Sequence, residues 1–108
     1  MDDQEFKLEA DRALHSLTNK LGAPGDRIGF DADLNDGALK IDFDDPPGRF
    51  VVSPNSPVRQ IWVSALTKSF KLEWNAERKA FVLPSTAQTL DELIAFAISE
   101  HTGESVTL

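Results

Sequence analysis

The stretch Ile28-Gly29-Phe30-Asp31-Ala32-Asp33-Leu34-Asn35-Asp36-Gly37-Ala38-Leu39-Lys40-Ile41-Asp42-Phe43 alternates apolar and polar residues on both sides of an Asp-Gly pair. Alternation at period two marks a strand with one buried face, and Asp-Gly between two such runs is the strongest short-range signal for a hairpin. Taken as a two-residue turn, Asp36-Gly37 sets Leu34 opposite Leu39, Ala32 opposite Ile41 and Phe30 opposite Phe43, apolar against apolar throughout. On the other face Asp33 meets Lys40, an ordinary ion pair, but Asp31 meets Asp42. Like charges directly opposite cost about 0.2–1 kcal/mol unless a cation lies between them. With Asp33 and Asp44 on the same face, the candidate metal ligands are Asp31, Asp33, Asp42 and Asp44. Carboxylates alone suit hard or borderline ions such as Ca²⁺, Mn²⁺ or Fe²⁺, and an open strand surface implies loose, weak coordination. The alternative is a solvated acidic face with Arg27 or Lys40 nearby.

Upstream of the hairpin, Phe6, Ala10, Ala13, Leu14, Leu17 and Leu21 fall at helical spacing, which predicts a helix from Asp3 to Leu21 stopped by Gly22-Ala23-Pro24-Gly25. Downstream, Asp45-Pro46-Pro47-Gly48 reads as a turn, Arg49 to Ser53 as a short strand and Pro54-Asn55-Ser56-Pro57 as a further turn. Strand signals follow over Val58 to Ala65, around Phe70, Leu72 and Trp74, and weakly over Ala80 to Leu83. Pro84 ends that run, and Thr89-Leu90-Asp91-Glu92 is a capping box opening a second helix, whose stripe Leu90, Leu93, Ile94, Ala97 and Ile98 stops at Gly103. Two amphipathic helices flanking a run of strands predict an α+β fold. It is a two-layer α-β sandwich: an antiparallel sheet of five to six strands with the N-terminal and C-terminal helices packed on one face. The other sheet face then meets solvent or a partner.

The chain has 108 residues, a net charge of −7 and no cysteine. That length suits a single domain over residues 1–108 with one core. The absence of cysteine rules out a disulfide framework or thiolate chemistry, and the acidic balance disfavours nucleic acid, which takes its affinity from clustered Lys and Arg. The acidic N-terminus lacks the basic start and apolar run of a signal peptide, and no stretch approaches membrane-spanning length. The expectation is a cytoplasmic protein.

Catalytic patterns are weak. His15 and His101 are far apart in sequence, neither sits beside a nucleophile pattern, and both read as surface residues. Gly22, Gly25 and Gly29 follow a helix rather than a strand and carry no lysine, unlike a nucleotide loop. Trp62 stands out because alternation sends it to the side of Gln60 and Ser64, opposite Ile61 and Val63. A tryptophan on an open sheet face is a candidate binding hot spot, the alternative being a ring shielded by Lys or Arg stems. Trp74 shares a face with Phe70 and Leu72 and reads as core.

The order helix, Asp-rich strand and meander, with Gln60-Ile61-Trp62-Val63-Ser64 following Pro57 and then Leu90-Asp91-Glu92-Leu93-Ile94, resembles the frataxin family nearly end to end, particularly its bacterial form. The Gln-Ile-Trp-Val-Ser stretch is the most specific element, supported by the spacing from the first helix to Asn35-Asp36-Gly37. The resemblance implies an α-β sandwich that binds iron weakly, acts as a non-enzymatic accessory of iron–sulfur cluster assembly, and docks on the cysteine desulfurase and the scaffold protein. It assigns metal binding to Asp31 and Asp33 and partner contact to Gln60, Trp62 and Ser64. The family's dense acids at the end of helix one are replaced here by Thr18, Asn19, Gly22, Ala23, Gly25, Arg27 and Gly29. Acids at Asp2, Asp3, Glu5, Glu9, Asp11 and Asp42 could partly compensate. Ser53 stands where an asparagine is frequent, Phe81 where a second tryptophan is, and Lys68-Ser69 where glycine is. A protein-interaction domain of this fold without iron binding is the alternative that the eroded ridge favours. An iron-oxidising or hydrolytic enzyme would need a closed cluster that the sequence lacks.

Overall fold

A computed structural model describes residues 1–108. Helix α1 (Asp3–Ile28) leads into strands β1 (Phe30–Asn35), β2 (Ala38–Asp44) and β3 (Pro47–Asn55). After a short 3-10 turn (Ser56–Val58) come β4 (Gln60–Ala65), β5 (Lys68–Asn75), β6 (Ala80–Val82) and helix α2 (Leu90–Thr102). The strands form one antiparallel sheet in chain order, β1-β2-β3-β4-β5-β6. Both helices lie against the same face, so the α+β sandwich expected from the sequence is the fold observed.

The β1–β2 register is the expected one, with Phe30 opposite Phe43, Asp31 opposite Asp42 and Leu34 opposite Leu39. Asp36 and Gly37 both have positive φ, 54° and 78°, as a hairpin turn twisted like its strands requires. Parity then carries Leu39, Ile41, Phe50, Val52, Ile61, Val63 and Leu72 to the inner face, all buried. The α1 stripe of Phe6, Ala10, Leu14, Leu17 and Leu21 and the α2 stripe of Leu90, Leu93, Ile94, Ala97 and Ile98 complete a core cluster of 23 residues. No polar or charged side chain is buried, so the core rests on apolar burial and ring contacts such as Phe6 against Phe81, edge to face at 5.8 Å.

Helix α1 does not stop at Leu21. It runs through Gly22 and Pro24 to Ile28, so Ile28 belongs to the helix and not to the first strand. Proline removes one intrahelical donor, but the buried stripe continues from Leu21 to Gly25, and packing outweighs that loss. The true terminator is Gly29, at φ 100°, whose N–H donates to Gly25 O. Gly25 sits in the stripe because β1 crosses closely over it: a Cβ there would lie 2.7 Å from the Phe30 carbonyl oxygen. Two further readings are corrected. Pro54-Asn55 extends β3 rather than forming a turn. His101 is not a free surface residue: its ring packs on Phe43 at 4.6 Å and Phe50 at 5.7 Å, and its Nε2–H donates to Pro46 O at 2.8 Å. His15 is exposed on α1, 3.3 Å from Asp11. Trp74 is half-buried against Phe81, ring centroids 5.2 Å apart.

Helix α2 opens with the full capping box: Thr89 Oγ1 accepts from Glu92 N, and Glu92 Oε1 accepts from Thr89 N. The Thr89 backbone bond, then the Thr89 side-chain bond, hold the Glu92 carboxyl below its ordinary range, against some desolvation and with help from Arg78.

Two outcomes follow from these close fits. Gly25→Ala should cost about 1–3 kcal/mol by forcing α1 away from Phe30, read as a lower urea midpoint at unchanged slope; an unchanged midpoint would mean that the crossing yields freely. A carboxylate whose folded pKa is depressed stabilises above its unfolded pKa, and that contribution disappears as pH falls through the folded value. Glu92→Gln retains an acceptor for Thr89 N–H but cannot titrate, so its Tm should decline less than that of the parent on acidification below about pH 4.3. Parallel acid limbs would remove the capping carboxylate from the pH response.

Candidate partner-binding face

The residues that the inner face rejects assemble on the outer face. On β4 these are Gln60, Trp62 and Ser64, which face Asn55, Ser53 and Val51 of β3 and Glu73, Lys71 and Ser69 of β5. Trp62 is 39% exposed on a central strand. Its indole N–H donates to Gln60 Oε1 at 2.9 Å, and Gln60 Nε2 donates in turn to Glu73 Oε2 at 3.1 Å. The Lys71 ammonium lies 5.0 Å from the ring centroid, a cation–π distance. The ring is thus open to solvent, on the side that alternation predicts, and also carries a lysine.

Beside the ring is a hollow of about 350 Å³ lined by Val51, Ser53, Ser64, Ser69, Phe70 and Lys71 together with Trp62 and Val63. Its only charged lining group is Lys71, in a chain whose net charge is −7. The three candidate partner residues thus come together around one aromatic platform with small polar neighbours. A second hollow, of about 300 Å³, lies where α1, β6 and the start of α2 meet, with Trp74 and Phe81 among its apolar walls and Glu9, Arg12, Lys79 and Asp91 as mixed charges. The sequence reading did not anticipate it, since its walls come from segments distant along the chain.

The candidate metal ligands lie at the other end of the outer face. Asp31 and Asp33 are exposed on the edge strand β1, and Asp44 is exposed at the end of β2. Asp42 lies opposite Asp31 as expected, but on its other side it pairs with Arg49 across β2–β3, Nε to Oδ1 at 2.5 Å. This guanidinium supplies the cation that the like-charged pair calls for. Asp33 faces Lys40. No three of the acidic or histidine side chains converge as a metal-holding group. Arg49 escaped the sequence reading because the β2–β3 turn is shorter than Asp45–Gly48: Asp44 pairs with Pro47, which brings Arg49 opposite Asp42. Counting the turn as two residues would have found it.

Several acids at the start of α1 are also engaged locally. Asp2 caps the helix by accepting from Glu5 N at 2.8 Å, and Asp3, Glu9 and Asp11 pair with Lys7, Arg12 and His15. These exposed pairs have a modest energy, typically about 0.2–0.5 kcal/mol each. They nevertheless spread the acidic charge along the helix in matched pairs rather than gathering it.

No helix is long and apolar enough to cross a membrane. The profile of the frataxin-like domain matches residues 1–104. The iron-sulfur cluster assembly protein CyaY of Thioalkalivibrio sulfidiphilus is 27% identical over 108 residues, covering 100% of both chains. The protein of the same name from Pseudomonas putida (strain W619) is 26% identical over 83 residues, 75% of this chain and 74% of its own. Among solved structures, the frataxin from Psychromonas ingrahamii superposes with a TM-score of 0.77 at 21% identity, over 99% of this chain and 97% of that one. Taken with the sandwich and the Trp62 face, a family match across nearly the whole length means that this chain belongs to the frataxin family.

Proposed function

We propose that this chain is a non-enzymatic accessory of iron–sulfur cluster assembly that works in the bacterial cytoplasm by docking on the cysteine desulfurase and its scaffold protein. The observation that carries this reading is Trp62, 39% exposed at the centre of an uncovered sheet face and flanked by Gln60 and Ser64. Membership in the frataxin family and relatives named as iron-sulfur cluster assembly proteins support the pathway. The Trp62 hollow holds one ionisable group and no acid–base pair, which favours contact over catalysis.

Iron binding is the finer part of the proposal. Asp31, Asp33, Asp42 and Asp44 offer only carboxylates on an open surface, a donor set suited to weak and exchangeable iron. Arg49 on Asp42 competes with any cation there, and this favours the second reading, an interaction domain of the same fold that no longer binds iron.

An anaerobic Fe²⁺ titration of the ¹⁵N-labelled protein, with Ca²⁺ and Mn²⁺ as controls, separates the two readings. Selective broadening of β1–β2 amides, abolished in Asp31→Asn/Asp42→Asn, is the expected result, and silence at millimolar metal would leave the interaction domain. Docking is tested independently by Trp62→Ala, which should weaken binding to the desulfurase–scaffold complex by about 2 kcal/mol or more, roughly thirtyfold. Unaltered binding would remove this face from the interface.

A further inference from the structure

Strands β4 and β5 bring two directly opposed pairs side by side on the outer face, Gln60 with Glu73 and Trp62 with Lys71. Within this block the contacts run in one direction. Glu73 Oε2 accepts from Gln60 Nε2, which leaves Gln60 Oε1 as the acceptor of the Trp62 indole N–H. An amide has one donor end and one acceptor end, so anchoring the NH₂ to a carboxylate decides which end meets the indole. Without Glu73, Gln60 could turn its NH₂ toward an indole that is also only a donor, and the ring would lose its partner. The opposing restraint is the Lys71 ammonium over the ring face. Indole edge and indole face are each held by a different strand.

Resting on the partner-face reading above, we propose that Glu73 is a positioning residue: it acts through Gln60 to fix the Trp62 ring as a preformed wall of the adjacent hollow. Glu73 does not line that hollow itself. The route assigned to its effect on docking is the orientation of the ring. Holding a large side chain in its bound pose before encounter spares the cost of ordering it on binding, a difference of roughly two- to tenfold in affinity.

The distinguishing comparison is Glu73→Ala against Glu73→Gln, with Gln60→Leu breaking the relay one step nearer the ring. The Trp62 indole ¹H–¹⁵N resonance and its exchange with solvent report the relay in the free protein. Ala and Leu should shift the resonance and speed exchange, and Gln, whose amide oxygen still accepts from Gln60, should restore both. An indole signal unchanged in Glu73→Ala, or a Gln variant as disturbed as the Ala variant, would overturn the relay. Binding to the desulfurase–scaffold complex should then fall roughly two- to tenfold in Glu73→Ala and recover in Glu73→Gln, whereas Gln60→Leu, at a residue of the partner face itself, is read on the indole signal alone. A moved indole signal with unchanged binding would overturn the positioning role. Should Trp62→Ala itself leave docking intact, the partner-face reading and the positioning role built on it both fail, while the relay stands or falls on the indole signal alone.

Discussion

Both central residues of the turn at Asp36-Gly37 have positive φ, and that geometry fixes the pairing of β1 with β2 so that every later strand inherits its parity. A slip by one residue would exchange the faces of the hairpin, sending Leu39 and Ile41 to water and the aspartates inward. Because parity is kept through the meander, Leu39, Ile41, Phe50, Val52, Ile61, Val63 and Leu72 point to one side, where two helices suffice to cover them. The exposed character of Trp62 is a consequence of the same rule, since Ile61 and Val63 on either side of it are fully buried.

Features governed by neighbours along the chain were readable from the sequence: the hairpin register, the capping box at Thr89, the stripes of both helices and the outward side of Trp62. Features decided by distant segments were not. Gly22, Pro24 and Gly25 carry strong local stop signals, yet the packing of Gly25 beneath Phe30 keeps α1 helical as far as Ile28. His101 looked like an ordinary surface histidine because the carbonyl and rings that hold it belong to β2, β3 and their connecting turn. For the site, the grouping of Gln60, Trp62 and Ser64 followed from alternation and family resemblance. The Glu73 bond to Gln60 and the Lys71 contact needed the β4–β5 register. The Arg49 contact to Asp42 turned on the length of one turn.

Charge is distributed unevenly on this acidic molecule. Carboxylates occupy β1, β2 and the exposed side of α1, where Asp3, Glu9 and Asp42 are each matched by a lysine or arginine, whereas the Trp62 hollow presents Lys71 alone. Aspartates on an edge strand also discourage another chain from adding to the sheet, so Asp31 and Asp33 protect solubility whatever else they bind. The two ends of the outer face thus differ in kind, one rich in carboxylates, the other aromatic with Lys71 and Glu73 flanking the ring block.

The sequential strand order has a kinetic side. Each of the five pairings joins neighbours in the chain, so the sheet can zip up through short loop closures with little entropic delay. Closing the core is a different matter, because α1 and α2 come from opposite ends of the chain and meet through contacts such as Lys20 with Asp91. During synthesis the inner face of the sheet remains half uncovered until α2 has left the ribosome. The stretch that follows α2, with Val106 buried and its N–H bonded to Ser99 Oγ, completes the cover of the core.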